Sequence, residues 1–198
     1  GAEVVYLDKF DSPLPVADYF DQTTYAAELE RIFARSPRYI GHKLSVPHAG
    51  QYHTLPQEGE GRVLVHTPKG IELISNVCRH RQALMLKGRG RMDPAAGGNI
   101  ICPLHRWTYD TSGKLPTGSL IGAPHFPQDP CLHLQNYQLQ NWNGLLFDAP
   151  HSDVNADLAD MHALPELNFD GYVFDRAVLH ECDYNWKSFI EVYLEDYH

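Results

Sequence analysis

The sequence predicts a mainly β protein with a short helical segment near each end. Over residues 39–150, short runs rich in β-branched and aromatic residues alternate with glycine, proline and asparagine turns, a pattern typical of an antiparallel β module. Before this module, TYAAELERIFA (24–34) carries apolar residues at helical spacing, and after it NWKSFIEVYLEDYH (185–198) carries a single apolar helical stripe. These observations place the main folded core in the middle of the chain.

The composition limits the classes of function. The chain has 16 Lys and Arg against 25 Asp and Glu, a net charge of −9 with histidine neutral, so the basic face that a nucleic-acid binder needs is not expected. No apolar run approaches the ~18 residues of a membrane span, and the first residues lack the basic and apolar regions of a signal peptide. Four cysteines in 198 residues are too few for a secreted disulfide scaffold. We therefore expect a cytoplasmic protein that binds neither nucleic acid nor membrane.

The β module contains three segments with clear strand signals. GRVLVHTPKGIELISNV (61–77) has two β-rich runs around a Pro-Lys-Gly turn and predicts a hairpin. Ile100 and Ile101 follow a Gly-Gly turn and predict a strand. LHLQNYQLQNWNGLLFDAP (132–150) alternates apolar and polar residues, and its Asn-Gly pair predicts a tight hairpin turn.

The last quarter of the chain changes character twice. HSDVNADLADMHALPELNFDG (151–171) is polar and interrupted by proline, which is typical of a connector. GYVFDRAVLHECD (171–183) is a strand candidate, and the helical stripe follows it, with Asp183 as a candidate cap. The predicted domains are an N-terminal arm with a short helix (1–38), the β domain (39–150), and a connector with the first strand and helix of a further domain (151–198).

Two short motifs combine cysteine and histidine. CRHR begins at Cys78 and contains His80, and CPLHRWTYDTSGKL begins at Cys102 and contains His105. Each motif follows a predicted strand. Chance pairs, a structural zinc site with two sulfur and two nitrogen ligands, and a [2Fe-2S] centre with two Cys and two His ligands are the alternatives. Neutral imidazoles in place of two thiolates would make such a centre easier to reduce.

These residues carry a resemblance to a known family. The paired motif is similar to that of Rieske proteins, and specifically of Rieske non-haem iron oxygenases, the family of aromatic-ring-hydroxylating dioxygenase large (α) subunits. The sequence departs from the family pattern at Gln82, where glycine is usual. The matching residues are Cys78, His80, Arg81, Cys102, Pro103, His105, Trp107, Tyr109, Asp110 and Gly113.

The resemblance implies a fold and a cofactor. It implies a Rieske [2Fe-2S] β-sandwich domain of short antiparallel strands, followed by the start of an α+β, helix-grip-like catalytic domain that is truncated. Cys78 and Cys102 would bind one iron of the cluster, His80 and His105 would bind the other, and Trp107 would cover it.

The end of the sequence resembles the helix that opens the family's catalytic domain. The resemblance implies that His198 is a ligand of a mononuclear Fe(II). It also implies that Glu195, or with a one-residue gap Asp196, is the carboxylate that bridges cluster and iron across a subunit boundary. Such iron sites use two histidines and one carboxylate, and the remaining two ligands have no counterpart in this sequence.

The expected function is therefore that of the terminal oxygenase component. A reductase, directly or through a ferredoxin, would reduce the cluster, and the mononuclear iron would activate O2 beside an organic, in most of the family aromatic, substrate. A homotrimer or an αβ hetero-oligomer is implied by the same resemblance. The alternatives are a stand-alone Rieske-type ferredoxin electron carrier, which would not need the residues after 150, and a zinc-stapled binding domain.

Overall fold

The computed structural model describes residues 14–116, 129–162 and 164–195. The chain divides into two compact units, of which the larger is Arg35–Leu179 and the smaller combines Gly1–Ala34 with His180–His198. None of the helices in these described ranges is long and apolar enough to cross a lipid bilayer. The strands are β1 (Arg38–His42), β2 (Gln51–Thr54), β3 (Arg62–Thr67), β4 (Gly70–Ser75), β5 (Arg89–Arg91), β6 (Ile100–Ile101), β7 (Thr108–Tyr109), β8 (Asn136–Tyr137), β9 (Leu139–Trp142) and β10 (Leu145–Asp148).

Helical segments are few and short. The α-helices are α1 (Gln22–Glu28), α2 (Val154–Asp157) and α3 (Trp186–Leu194), and α1 continues into a π-helical turn at Leu29–Phe33. The 3-10 turns are Val16–Tyr19, Lys43–Ser45, Pro56–Glu58, Pro94–Ala96, Pro130–Leu132, Ala159–Met161 and Pro165–Leu167.

The described residues of the larger unit form three antiparallel sheets. Five strands pair in the order β5-β2-β3-β4-β8, three in the order β1-β10-β9, and β6 pairs with β7. The mainly β fold class predicted from the sequence is confirmed. The hairpins predicted at 61–77 and around Asn143-Gly144 form as β3–β4 and β9–β10, and the strand predicted at Ile100-Ile101 forms as β6.

The five-stranded sheet is the central layer because both of its faces are buried. Along β3, Val63 and Val65 join one hydrophobic core, while Leu64 between them joins the other. Successive side chains of a strand point to opposite faces, so a continuous apolar run marks a strand covered on both sides. One core packs against the three-stranded sheet through Ile40 and Leu146. The other contains Cys78, Cys102 and Tyr109.

The larger unit continues beyond the predicted domain boundary at residue 150. Val154 of α2 is 2% exposed and packs with Trp142 and Ala149 in a third core. The ring of Phe174 lies 5.3 Å from that of His53. Side chains from 151–179 therefore complete the β unit.

Two predicted elements differ from those observed. The strand predicted at 171–183 does not form, because no strand of the described chain pairs with these residues, and an extended segment needs a hydrogen-bonded neighbour to become a strand. The helix predicted at 185–198 ends at Leu194, since Glu195 has an extended backbone (φ −76°, ψ 123°). Its cap is Asn185, whose side chain accepts the Lys187 N–H at 2.9 Å, rather than Asp183.

Within the smaller unit, α3 packs against the N-terminal segment. The ring of Trp186 meets that of Phe33 edge-on, with centroids 5.0 Å apart, and its indole Nε1 donates to Glu28 Oε2 at 3.0 Å. Lys187 Nζ forms an ion pair with the same carboxylate, and both side chains are largely buried, at 8% and 11% exposure. The predicted helix at 24–34 is thus observed, begins at Gln22 and is joined to α3 by polar contacts.

Candidate metal centre

Two short loops bring the predicted metal-binding side chains together. The first loop (78–83) is closed by a β-bridge between Val77 and Leu84. The second loop (102–107) is closed by the β6–β7 pair, in which Ile101 faces Thr108. Each loop therefore begins with a cysteine at the mouth of a narrow antiparallel pair.

The two loops have the same backbone design. The N–H of Cys78 and of Cys102 donates to the carbonyl five residues later, at 2.9 and 2.8 Å. The N–H of Gln82 and of Arg106, four residues after each cysteine, donates back to the cysteine carbonyl at 2.9 and 3.0 Å. Both of these residues have left-handed φ angles, 56° and 59°, which non-glycine residues adopt at a cost of about 1–2 kcal/mol. The repeated geometry makes the loops a matched pair.

The cysteines lie at the base of the site. Cys78 is fully buried and Cys102 is 2% exposed, and neither forms a disulfide. Burial raises the pKa of the Cys102 thiol, the Leu104 backbone N–H lowers it, and the nearby Cys78 side chain raises it again. Two neighbouring buried thiols, one of which faces backbone N–H groups, suit thiolate ligands of iron.

The histidines lie at the exposed tip of the same loops. The rings of His80 and His105 are 4.7 Å apart, centroid to centroid, and both residues are exposed. The indole of Trp107 stacks on the His80 ring at 4.8 Å with an interplanar angle of 11°. The site thus has a buried sulfur pair and an exposed nitrogen pair.

Tyr109 connects the second loop to the first through hydrogen bonds. Its hydroxyl accepts the Arg79 backbone N–H at 3.1 Å and lies 3.5 Å from Cys78 Sγ. Burial, and then the contact with Cys78, raise the pKa of Tyr109, so its hydroxyl remains protonated. Since the oxygen already accepts from Arg79, its proton is free to point at the sulfur. The residue stands in the sequence motif, but this bond could not be inferred from spacing.

A buried asparagine that sequence reasoning missed holds the first loop. Asn76 is fully buried, and its Nδ2 donates to the carbonyls of Glu60 and Leu86, both at 2.8 Å. Its Oδ1 accepts the Leu86 N–H at 2.9 Å. A satisfied buried amide ties the start of the first loop to the segments around Glu60 and Leu86. No motif in the sequence indicated this role.

The donor set can be compared with the groups it could hold. In the described part of the chain, no three Cys, His, Asp or Glu side chains converge as a single-ion site. The four motif residues form instead a buried thiol pair and an exposed imidazole pair. A pair of sulfur donors and a separate pair of nitrogen donors fit a [2Fe-2S] centre in which each iron would bind one pair.

The residues expected at a mononuclear iron site are only partly described. Glu195 is exposed at the C-terminal end of α3, while Asp196 and His198 lie outside the described residues. The described residues alone do not form this iron site.

The sequence is similar to a known domain family and to known oxygenases. Residues 36–138 match the family model described as the Rieske [2Fe-2S] domain. Putrescine 2-hydroxylase of Ralstonia nicotianae is 56% identical over 188 residues, which cover 95% of this chain and 48% of that protein. The carnitine monooxygenase oxygenase subunit of Escherichia coli is 29% identical, over 93% of this chain and 50% of that protein. The chain spans about half the length of these relatives.

Solved structures show the same fold. A quaternary ammonium Rieske monooxygenase superposes with a TM-score of 0.61 and 24% identity, covering 73% of this chain and 41% of that one. Naphthalene 1,2-dioxygenase from Rhodococcus superposes with a TM-score of 0.60 and 25% identity, covering 75% of this chain and 34% of that one.

Proposed function

The chain belongs to the Rieske [2Fe-2S] domain family, and we propose that it is the N-terminal part of the terminal oxygenase component of a Rieske non-haem iron oxygenase. The observation that carries this proposal is the pair of matched loops, with thiols at the base and imidazoles at the tip. The relatives support the oxygenase assignment, because the likeness to the Ralstonia putrescine 2-hydroxylase extends over 95% of this chain and is not confined to the cluster domain. An electron carrier would not need the smaller unit, so the ferredoxin alternative is not favoured.

Cys78 and Cys102 would hold one iron of the cluster, and His80 and His105 would hold the other. The cluster supplies one-electron transfer when it is bound. Trp107 fixes the plane of the His80 ring by stacking on it, and the surrounding apolar core excludes water from the sulfurs. The exposed imidazoles of His80 and His105 would place one edge of the bound cluster at the protein surface, within reach of an electron donor or acceptor.

A substitution at the second loop tests the ligand set. His105→Cys replaces a neutral imidazole with a thiolate, so the cluster becomes more negative and harder to reduce. A redox titration of the full-length protein, followed by its visible absorbance, should show a lower midpoint potential than in the wild type. If the fully loaded His105→Cys protein has the same midpoint potential as the wild type, His105 is not a ligand of the cluster. A colourless wild-type protein that contains zinc would remove the cluster itself.

We further propose that the substrate is a small aliphatic amine. Two relatives, at 56% and 50% identity, are named putrescine 2-hydroxylase, whereas the biphenyl and benzene dioxygenases are 34% and 31% identical over shorter segments. Electrons would come from a reductase, directly or through a ferredoxin, and the full-length subunit would assemble as a homotrimer or an αβ oligomer.

The substrate proposal is tested with the full-length gene product. With a reductant, Fe(II) and 18O2, it should convert putrescine to a hydroxylated product containing one labelled oxygen, as measured by mass spectrometry. Benzene and biphenyl serve as the competing class of substrate. Labelled oxygen in a product of those rings, with none in putrescine, would overturn the amine assignment and leave the oxygenase assignment in place.

A further inference from the structure

Arg79 is fixed at both its backbone and its side chain. It lies between Cys78 and His80 in the first loop, and its backbone N–H donates to the Tyr109 hydroxyl at 3.1 Å. Its guanidinium Nε donates to the carbonyl of Cys131 at 2.9 Å, across 52 residues of sequence. An exposed arginine on a loop is usually free to change rotamer, whereas this side chain has a defined anchor.

The anchor belongs to a turn that is itself fixed to the core around the cysteines. Asp129 caps the 3-10 turn Pro130–Leu132 by accepting the Cys131 N–H at 2.9 Å. Leu132 packs against the core that contains both metal-binding cysteines, and Leu134 is buried within it. The Cys131 carbonyl is therefore held in a constant position relative to the base of the site.

The chemistry of the anchor leaves the charge of Arg79 uncompensated. A carbonyl oxygen carries no net charge, and among the described residues no carboxylate forms an ion pair with Arg79. Arg62 shows the opposite arrangement, because its guanidinium is paired with Glu58 and with Asp148, the latter at 2.7 Å. Within the described residues, carboxylates thus pair with one half-buried arginine of the sheet, whereas the arginine of the cluster loop has no ion-pair partner.

We propose that Arg79 is a potential-setting residue, an anchored cation that raises the reduction potential of the [2Fe-2S] centre. This inference rests on the proposed ligand set. Reduction adds one electron and no bond forms or breaks, so the centre gains one unit of negative charge. A positive charge on the residue between Cys78 and His80 stabilises that reduced form relative to the oxidised one. Overall the protein is acidic, with a net charge of −9, so this local cation opposes the field of the remaining chain.

The experiment measures midpoint potentials of the full-length, cluster-loaded protein at low and high ionic strength. Arg79→Gln removes the charge and should lower the potential. Arg79→Lys keeps the charge without the guanidinium Nε that binds Cys131, so its potential should lie between those of Arg79→Gln and the wild type. Arg81→Gln is the matched control, because Arg81 is exposed on the same loop and its substitution removes the same charge. Within the described residues, no hydrogen bond anchors the Arg81 side chain. The potential of this variant should fall less, and the difference should be largest at low salt.

The outcomes separate this inference from the proposed function. A wild-type protein without a Rieske absorbance and paramagnetic signature would overturn the proposed function. With a loaded wild type, an Arg79→Gln potential equal to that of the wild type, or lowered no more than by Arg81→Gln, would overturn only the role of Arg79. If Arg79→Gln does not retain the cluster, Arg79→Met, a second uncharged side chain of similar length, decides the question: a lower potential supports the role of the charge, and an unchanged potential contradicts it.

Discussion

The hydroxyl of Tyr109 gives a residue-scale prediction about the cluster. Tyr109→Phe removes the hydroxyl that lies 3.5 Å from Cys78 Sγ while leaving the ring in the core. A hydrogen bond to a cluster sulfur stabilises the reduced form, so the midpoint potential should fall by roughly 20–60 mV, equivalent to about 0.5–1.4 kcal/mol for one electron. Redox titration of the loaded protein measures this shift.

The control for Tyr109 is another tyrosine of the same unit. The Tyr137 hydroxyl donates an exposed hydrogen bond to Gln135 Oε1 at 3.2 Å. Tyr137→Phe should therefore leave the midpoint potential of the cluster unchanged. Equal shifts in the two variants would mean that the Tyr109 hydroxyl does not act on the sulfur.

At the scale of residues, the sequence indicated chemistry better than conformation. Cys78, His80, Cys102 and His105 could be singled out because ligand types and spacing are written in the sequence, and the structure places them together. The left-handed backbone of Gln82 could be inferred only from the family's glycine, since a glutamine itself carries no such signal. The contact of Arg79 with Cys131 joins loops whose approach depends on the whole fold.

The turn after the second loop gives an element-scale prediction. Gly113 has a φ of 86°, and a Cβ added there would lie 2.9 Å from Leu134 Cβ and 3.1 Å from Leu134 O. Its N–H donates to the Asp110 carbonyl, and its carbonyl accepts the Leu134 N–H at 2.8 Å. Gly113→Ala therefore combines backbone strain with a steric clash, and we expect it to lower the free energy of unfolding by at least about 2 kcal/mol.

Gly171 separates the two causes. It has a similar φ of 82°, but a Cβ there would meet nothing within 4 Å. Gly171→Ala should therefore cost only the strain term, about 1 kcal/mol. Urea unfolding of both variants measures the difference, and equal losses of stability would show that Leu134 yields to the added methyl group.

The ion pair beneath α3 gives a second prediction at this scale. Glu28→Gln leaves the buried Lys187 without a counter-charge, so thermal unfolding should occur several degrees lower. Glu30→Gln, an exposed change of the same charge on the same segment, should have little effect. Adding Lys187→Met to Glu28→Gln removes both charges and should restore much of the loss. A double variant no more stable than Glu28→Gln would mean that the lost charge is not the cause.

The same pair has a defined pH dependence. Hydrogen bonds from Lys187 and then Trp186 lower the pKa of Glu28. A carboxyl group whose pKa is lowered on folding stabilises the protein fully at pH values above its unfolded-state pKa. This contribution is lost as the pH falls through the folded-state pKa. The difference between wild type and Glu28→Gln should therefore shrink in acid.

Elements with local signals were predicted, and elements that depend on distant partners were not. The Asn-Gly turn of β9–β10 and the Pro-Lys-Gly turn of β3–β4 carry their geometry in the residues themselves. Residues 171–183 have strand-like composition, but a strand needs a paired neighbour, and no described strand supplies one. The end of α3 at Leu194 has no glycine or proline to mark it.

At the scale of the molecule, the two compact units could not be predicted from the order of the sequence. The smaller unit joins segments from opposite ends through contacts such as Asn185 Nδ2 to the Tyr19 carbonyl, at 2.9 Å across 166 residues. Periodicity predicts which residues of a helix are apolar but not which distant segment covers them. The boundaries predicted at residues 38 and 150 rest on changes in local sequence composition, whereas the observed units are defined by contacts between residues.

Fragments of the chain distinguish these two sets of boundaries. Residues 35–179 contain both matched loops and all three sheets, so this fragment should fold, bind about two irons and show a Rieske spectrum. The fragment 39–150 lacks Arg38, which pairs with Asp148 at the edge of the sheet, and Val154, which covers Trp142. Burying one valine stabilises by about 1.5–3 kcal/mol, so the shorter fragment should unfold at a clearly lower urea concentration. Equal unfolding midpoints for the two fragments would favour the boundaries predicted from local sequence composition. A 35–179 fragment that does not bind iron would show that the larger unit depends on the ends of the chain.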